Sequence, residues 1–147
     1  MTDEQNIADI WLSRMADSDG EIIELEERRD KLANQGVMAY DADKVHGGSD
    51  PNPAEARYIE YSYICGEIER KSTRLANENI RTHKVIDQVS NALYRELLVG
   101  HYLNNKTWEQ AGKVCFYEKT RARELGYEAL TAVYPFIPKE EVLLSLM

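Results

Sequence analysis

The chain has few of the residues that stabilise small secreted proteins, break helices or build metal centres. Its 147 residues include two cysteines, four prolines, eight glycines and three histidines. Cys65 and Cys115 form neither a CxxC motif nor a disulfide framework, which favours a reducing compartment. His46, His83 and His101 lie too far apart for a zinc-binding pattern, so we expect neither a metal site nor a cofactor.

Long apolar runs are also missing. No segment approaches the ~20 consecutive apolar residues that a membrane-spanning helix needs. The acidic N-terminal sequence MTDEQNIADI lacks the apolar core of a signal peptide. We therefore expect a cytoplasmic protein that makes no membrane contact. Because the sequence contains no glycine-rich phosphate loop and no defensible Ser/His/Asp set, we expect no enzymatic activity.

The negative charge of the chain is concentrated in its N-terminal part. The net charge is −8. Residues 1–60 contain 15 acidic and 6 basic residues, residues 61–90 contain 4 and 5, and residues 91–147 contain 7 and 7. A DNA-binding domain usually has a basic excess. We therefore expect the acidic part to face something other than DNA.

The first helix is predicted over residues 4–33, where apolar residues recur at three- or four-residue steps. This stripe comprises Ile7, Trp11, Met15, Ile22, Leu25 and Leu32. The segment 17–20 interrupts the pattern, so we expect a break or kink there. Residues 34–52 are rich in Gly, Asp, Asn and Pro and predict a loop, with Asp50 or Asn52 capping the next helix.

A second long helix is predicted from about residue 53 to residue 89. It carries the alternating four- and three-residue spacing of a coiled-coil seam. The seam comprises Tyr61, Cys65, Ile68, Ser72, Leu75, Asn79, Thr82, Ile86 and Val89. We expect the two helices to form an acidic hairpin over residues 1–89, and a homodimer through the same seam is the alternative.

Residues 90–147 predict a helix-turn-helix module followed by a tail. Thr107 and Gln110 have the spacing of a capping box, in which each side chain accepts a hydrogen bond from the other residue's amide. The second helix should therefore begin at Trp108, with Trp108, Ala111 and Val114 facing the core. Residues 115–117 span the turn. The tail beyond Pro138 predicts a short docking helix, with a partner-binding segment as the alternative.

The third helix of the module is predicted over residues 118–132. Four apolar residues share one face and should pack inward: Ala122, Leu125, Ala129 and Val133. The opposite side carries the candidate DNA-binding residues Lys119, Thr120, Arg121, Arg123, Glu124 and Tyr127. Basic side chains can neutralise phosphates or donate to guanine, Thr can meet a thymine methyl, and Glu can accept from cytosine N4. The sequence therefore predicts an all-α protein with a coiled-coil-like hairpin before a helix-turn-helix.

The segment LYRELLVGHYLNNKTWEQAGKVCFYEKTRARELGYEAL resembles region four of bacterial sigma factors, which recognises promoter DNA. Over about residues 20–132, the chain also resembles the RinA- and ArpU-like regulators of phages and prophages from Gram-positive bacteria. The likeness is carried by Tyr40-Asp41, Lys44-Val45, the stretches ARYIEYSYICGEIERK and LYRELLVGHYL, and the helix start Thr107-Trp108-Glu109. Phe116 stands where that family has a glycine in its turn.

The resemblance implies a phage-encoded transcription regulator that activates late genes in the host cytoplasm. Helix 118–132 would bind double-stranded promoter DNA, and the protein would act with bacterial RNA polymerase. A second hypothesis is a protein-binding adaptor or inhibitor that keeps the fold without contacting DNA. In that case, the −9 charge of residues 1–60 would occupy a basic groove of the partner.

Overall fold

A computed structural model describes residues 1–36 and 53–146 of the chain. Within these ranges, the fold contains seven α-helices and no β-strand, which confirms the predicted all-α class. The helices are α1 (Asp3–Leu12), α2 (Ser18–Asn34), α3 (Pro53–Ile86), α4 (Ala92–Leu98), α5 (Trp108–Val114), α6 (Lys119–Val133) and α7 (Lys139–Leu146). A π-helical turn over Val99–Leu103 continues α4, and a 3₁₀ turn over Tyr134–Phe136 follows α6.

The predicted helix over residues 4–33 is two helices. Helix α1 ends at Leu12, where the Ser13 amide and hydroxyl both donate to the Asp9 carbonyl oxygen. Helix α2 begins at Ser18, so part of the predicted interruption is its first turn. Helix α3 ends at Ile86, before the predicted end at residue 89. The proposed caps Asp50 and Asn52 lie outside the described residues, as does most of the predicted loop.

The chain divides into two compact units. The first contains Met1–Ala16 together with the chain from Asn77 onward, and the second lies within Asp17–Ala76. This division differs from the predicted boundary between residues 89 and 90. The reason is that the apolar face of α1 packs against α6 and α7, which lie more than a hundred residues later in the sequence.

The core of the first unit contains apolar side chains from six of the helices. Its fully buried members include Trp11, Ile86, Leu98, Leu130 and Val133. The seam residues Thr82, Ile86 and Val89 are thus buried within the chain. Polar contacts also fix α1 in place: Tyr102 Oη donates to Asp9 Oδ1 at 2.5 Å, and Gln5 Nε2 donates to the Tyr127 carbonyl at 2.9 Å.

A half-buried polar network surrounds Trp11. The indole Nε1 donates to Glu141 Oε2 at 2.7 Å, and the Arg14 guanidinium lies 3.6 Å from the centre of the Trp11 ring. Arg14 also bonds Glu78 at 2.8 Å, while Arg81 pairs with Glu141. Hydrogen bonds from Arg81 and Trp11 lower the pKa of Glu141. These contacts hold α7 against the unit.

Helix α7 matches the position of the predicted docking helix. Of its apolar residues, Val142 is buried, whereas Leu143, Leu144 and Leu146 are exposed. Only one turn of this helix therefore contributes to the core.

The second unit has a small core between α2 and the N-terminal half of α3. Leu32 and Ile64 are its buried members, and Leu25, Tyr58, Tyr61 and Ile68 pack around them. The predicted seam omits Ile64, which is the most buried residue of this cluster. Ion pairs between Lys71 and Glu21, and between Arg28 and Glu60, join the same two helices at their surface.

No helix in the described ranges is both long enough and apolar enough to cross a membrane.

Candidate nucleic-acid interface

Two side-chain caps fix where α4 and α5 begin. The Asn91 side chain accepts hydrogen bonds from the amides of Leu93 and Tyr94 at the start of α4. At α5, Thr107 Oγ1 accepts from the Gln110 amide at 3.1 Å, and Gln110 Oε1 accepts from the Thr107 amide at 3.0 Å. The predicted capping box is therefore confirmed, and α5 begins at Trp108.

Helices α5 and α6 approach each other closely because two glycines lie at their contact. A Cβ atom on Gly112 would be 2.2 Å from the Ala122 Cβ. A Cβ atom on Gly126 would be 2.5 Å from the Trp108 ring. Both distances are far below van der Waals contact, so any larger residue would push the helices apart.

The inward face of α6 agrees with its prediction. Ala122, Leu125, Ala129 and Val133 are all buried, and Leu125 packs with Leu97 and Ala111. The prediction for Val114 is wrong, because its side chain is 65% exposed. Val114 lies six residues after Trp108, which places it about 120° around the helix from that side chain. Trp108 is half-buried against the core, as expected.

The turn between α5 and α6 ends α5 with a Schellman motif. The Tyr117 amide donates to the Gly112 carbonyl at 2.9 Å, and the Phe116 amide donates to the Lys113 carbonyl at 3.1 Å. This hydrogen-bond pattern places one residue in the left-handed region, usually glycine. Here that residue is Phe116, with φ +66°. A left-handed conformation costs a residue with a Cβ about 1–2 kcal/mol.

The candidate DNA-binding residues of α6 separate into two groups. Lys119, Thr120, Arg121, Arg123 and Glu124 are exposed. Tyr127 is instead half-buried and packs against the core of the first unit. Its backbone carbonyl oxygen also accepts a hydrogen bond from the Gln5 side chain of α1.

Arg121 already has acidic partners on its own helix. Its Nη1 lies 3.1 Å from Glu124 Oε2 and 4.0 Å from Glu128 Oε1. Tyr94 Oη donates to the Glu128 carboxylate at 3.0 Å, which orients that acid. By contrast, Lys119 and Arg123 form no ion pair within the part of the chain that the structure describes.

Positive charge is in excess between Lys106, which lies just before α5, and Arg123, in the second turn of α6. Residues 106–123 contain five basic and two acidic residues, a net +3 in a chain of net −8. The basic members, here called the basic surface, are Lys106, Lys113, Lys119, Arg121 and Arg123. The count over residues 91–147 is neutral, so the whole-segment balance predicted from sequence conceals this local excess.

A histidine–tryptophan stack supports the start of α5, and sequence patterns gave no sign of it. The His101 ring lies 3.8 Å from the Trp108 ring at an interplanar angle of 12°. His101 Nδ1 lies 2.7 Å from the Lys106 carbonyl oxygen, to which it donates in the neutral tautomer. Burial lowers the pKa of His101, so the neutral form is favoured.

In the described ranges, no group of three or more His, Cys, Asp and Glu residues could hold a metal ion. Cys115 lies beside the turn, where its Sγ is 3.3 Å from Glu96 Oε2. Burial, followed by this hydrogen bond, raises the pKa of the Cys115 thiol, so the thiolate is disfavoured.

The molecule is thus an all-α protein whose basic surface lies on two closely packed helices, their connecting turn and the loop before the first of them. The chain matches no protein-family model, no curated protein and no solved structure.

Proposed function

We propose that the protein is a DNA-binding transcription regulator that recognises double-stranded promoter DNA through α6. The observation that carries this proposal is that two basic residues on the exposed face of α6, Lys119 and Arg123, form no ion pair with any described residue. They lie within the basic surface, whose +3 charge suits the phosphate backbone. A short turn before a helix with exposed basic residues favours insertion of that helix into the major groove.

Each exposed residue of α6 has a role in this proposal. Lys119, in the first turn, neutralises a phosphate, and Arg123 donates to guanine O6 and N7. Thr120 and Glu124 face the same side and can contact a thymine methyl and cytosine N4, respectively. Tyr127 has no role in DNA contact, because it packs against the core.

Arg121 contributes less than its charge suggests. Its guanidinium must leave Glu124 and Glu128 before it can bind a phosphate or a base. All three side chains are exposed, so this competition is weak, but it acts directly against DNA binding. We therefore expect Arg121→Ala to weaken DNA binding less than Arg123→Ala.

A gel-shift titration with DNA from upstream of the protein's own operon tests the proposal. Arg123→Ala should weaken binding by about 1–3 kcal/mol if the arginine makes a bidentate base contact. Arg74→Ala is the matched control, because it removes an exposed arginine from α3 with the same change in net charge. Equal effects of the two substitutions, or no wild-type shift at low salt, would exclude recognition through α6.

The resemblance to sigma region four and to the RinA- and ArpU-like regulators supports a second part of this proposal. We propose that the protein is phage-encoded, activates late genes and acts with bacterial RNA polymerase. Adding host polymerase to the gel shift should then produce a complex of lower mobility and tighter apparent affinity. In vitro transcription from the same DNA should increase with the wild-type protein and not with Arg123→Ala.

The second candidate function is a protein-binding adaptor or inhibitor that does not itself bind DNA. The observation that favours it is the charge of α2, which contains six acidic and three basic residues. A partner with a basic groove would complement this helix. Capture of a host protein that is unchanged when Arg121 and Arg123 are both neutralised, and that needs no DNA, would favour this function over the first.

A further inference from the structure

Phe116 is the most exposed large apolar side chain in the described part of the chain. Its exposed fraction is 97%, and the nearby Val114 is exposed as well. The phenyl ring therefore gains almost no packing from its own chain. A ring held in water at the end of a tight turn contributes nothing evident to folding.

The backbone at Phe116 adds a second penalty. The Schellman hydrogen bonds of Tyr117 and Phe116 hold this residue at φ +66°. Glycine adopts that conformation freely, whereas phenylalanine does so only under strain. Strained residues that persist in a fold often lie at functional sites. Among the described residues, no contact offsets either the exposure or the strain of Phe116.

The position of Phe116 indicates which contact offsets its exposure and its backbone strain. It lies three residues before Lys119, the first residue of α6, and between Lys113 and Lys119 of the basic surface. In the proposed function, this end of α6 is the one that meets base edges. The +3 charge of residues 106–123 favours binding to a polyanion such as DNA over binding to a protein surface with few acidic residues. On duplex DNA, the apolar group that a groove-facing phenylalanine contacts is the thymine 5-methyl.

We propose that Phe116 contacts DNA directly and packs its ring against the 5-methyl group of a thymine in the major groove. This inference rests on the proposed function, since it requires α6 to lie in that groove. It makes Phe116 a specificity-determining residue outside the recognition helix itself. Burial of the ring in the complex offsets the cost of its exposure and strain in the free protein.

The test compares wild type with Phe116→Gly, which removes the ring and keeps the left-handed turn. Selection from a pool of duplex DNA with a randomised centre first identifies a bound sequence. Replacing its thymines one at a time with uracil removes single methyl groups. One such replacement should weaken wild-type binding about fourfold, the effect of losing one buried methyl group. The same replacement should leave Phe116→Gly unaffected.

Two further variants control for folding and for loss of apolar surface. Phe116→Asn also tolerates the left-handed conformation and should behave as Phe116→Gly does in DNA binding. Leu144→Ala removes an exposed apolar side chain from α7 and should bind DNA as wild type does. Phe116→Gly should unfold at the same temperature as wild type or a higher one, because it relieves strain. Weaker binding by this variant therefore cannot come from unfolding.

The outcomes separate this contact from the proposed function. Failure of wild type to bind any duplex DNA would overturn both. Normal wild-type binding with an unchanged affinity of Phe116→Gly would overturn the phenylalanine contact alone. An equal loss of affinity by Phe116→Gly on the thymine and uracil duplexes would overturn the assignment to thymine.

Discussion

His101 is a half-buried titratable residue whose neutral form the fold favours. It stacks on Trp108 and donates through Nδ1 to the Lys106 carbonyl, and burial lowers its pKa. Protonation therefore favours the unfolded chain, in which a histidine has a pKa of about 6.5. The contribution of His101 to the free energy of unfolding should be constant above that pH and should fall as the pH drops below it.

Urea titrations at a series of pH values measure this dependence. In His101→Gln, most of the fall in the free energy of unfolding below about pH 6.5 should be absent. The control is His83→Gln, which changes an exposed histidine of α3 and should keep the wild-type dependence. A wild-type pH profile in His101→Gln would mean that another group is responsible.

At the scale of single elements, the start of α6 is poorly capped. Its N-cap is Glu118, whose side chain receives no capping hydrogen bond from the described first turn. Serine at an N-cap accepts such a bond and stabilises a helix by about 1 kcal/mol relative to a residue that cannot. Glu118→Ser should therefore raise the thermal unfolding temperature, with the loss of a favourable acid–dipole contact reducing the gain.

The same substitution should strengthen DNA binding, because it removes a negative charge beside Lys119 at the end of α6 that faces the DNA in the proposed function. Gel shifts and thermal unfolding on one preparation measure both effects. Thr107→Ser is the control, since it keeps the capping box of α5 and should change neither quantity. Weaker DNA binding by Glu118→Ser would show that the carboxylate itself contacts the DNA.

For the whole molecule, the notable feature is that α1 belongs to the same compact unit as α6 and α7. Trp11 is fully buried in that core, and its indole also bonds Glu141 of α7. Trp11→Ala should therefore lower the free energy of unfolding by about 3–5 kcal/mol. Urea unfolding, monitored by the helical circular-dichroism signal in the far ultraviolet, measures this change.

The matched control is Ile23→Ala on α2, which removes an exposed apolar side chain and should have little effect. Trp11→Ala should also weaken DNA binding at temperatures where it is partly unfolded, although Trp11 is remote in sequence from α6. Stability equal to wild type would contradict the placement of α1 in this core.

The sequence by itself determined the elements whose cause is local. The capping box of Thr107 and Gln110 and the buried face of α6 followed from spacing, because hydrogen bonds across three residues and a 3.6-residue period need no distant partner. The break after Leu12 was expected a few residues too late, since helix ends depend on weak local preferences.

Only the tertiary structure decided which helix covers which side chain. It grouped α1 with α6 and α7, directed Tyr127 inward, left Val114 exposed and stacked His101 on Trp108. It also held Phe116 in the left-handed region, at the turn position where the family that the chain resembles has a glycine. Periodicity identifies an apolar face, but the neighbour that buries it comes from packing between segments distant in the chain.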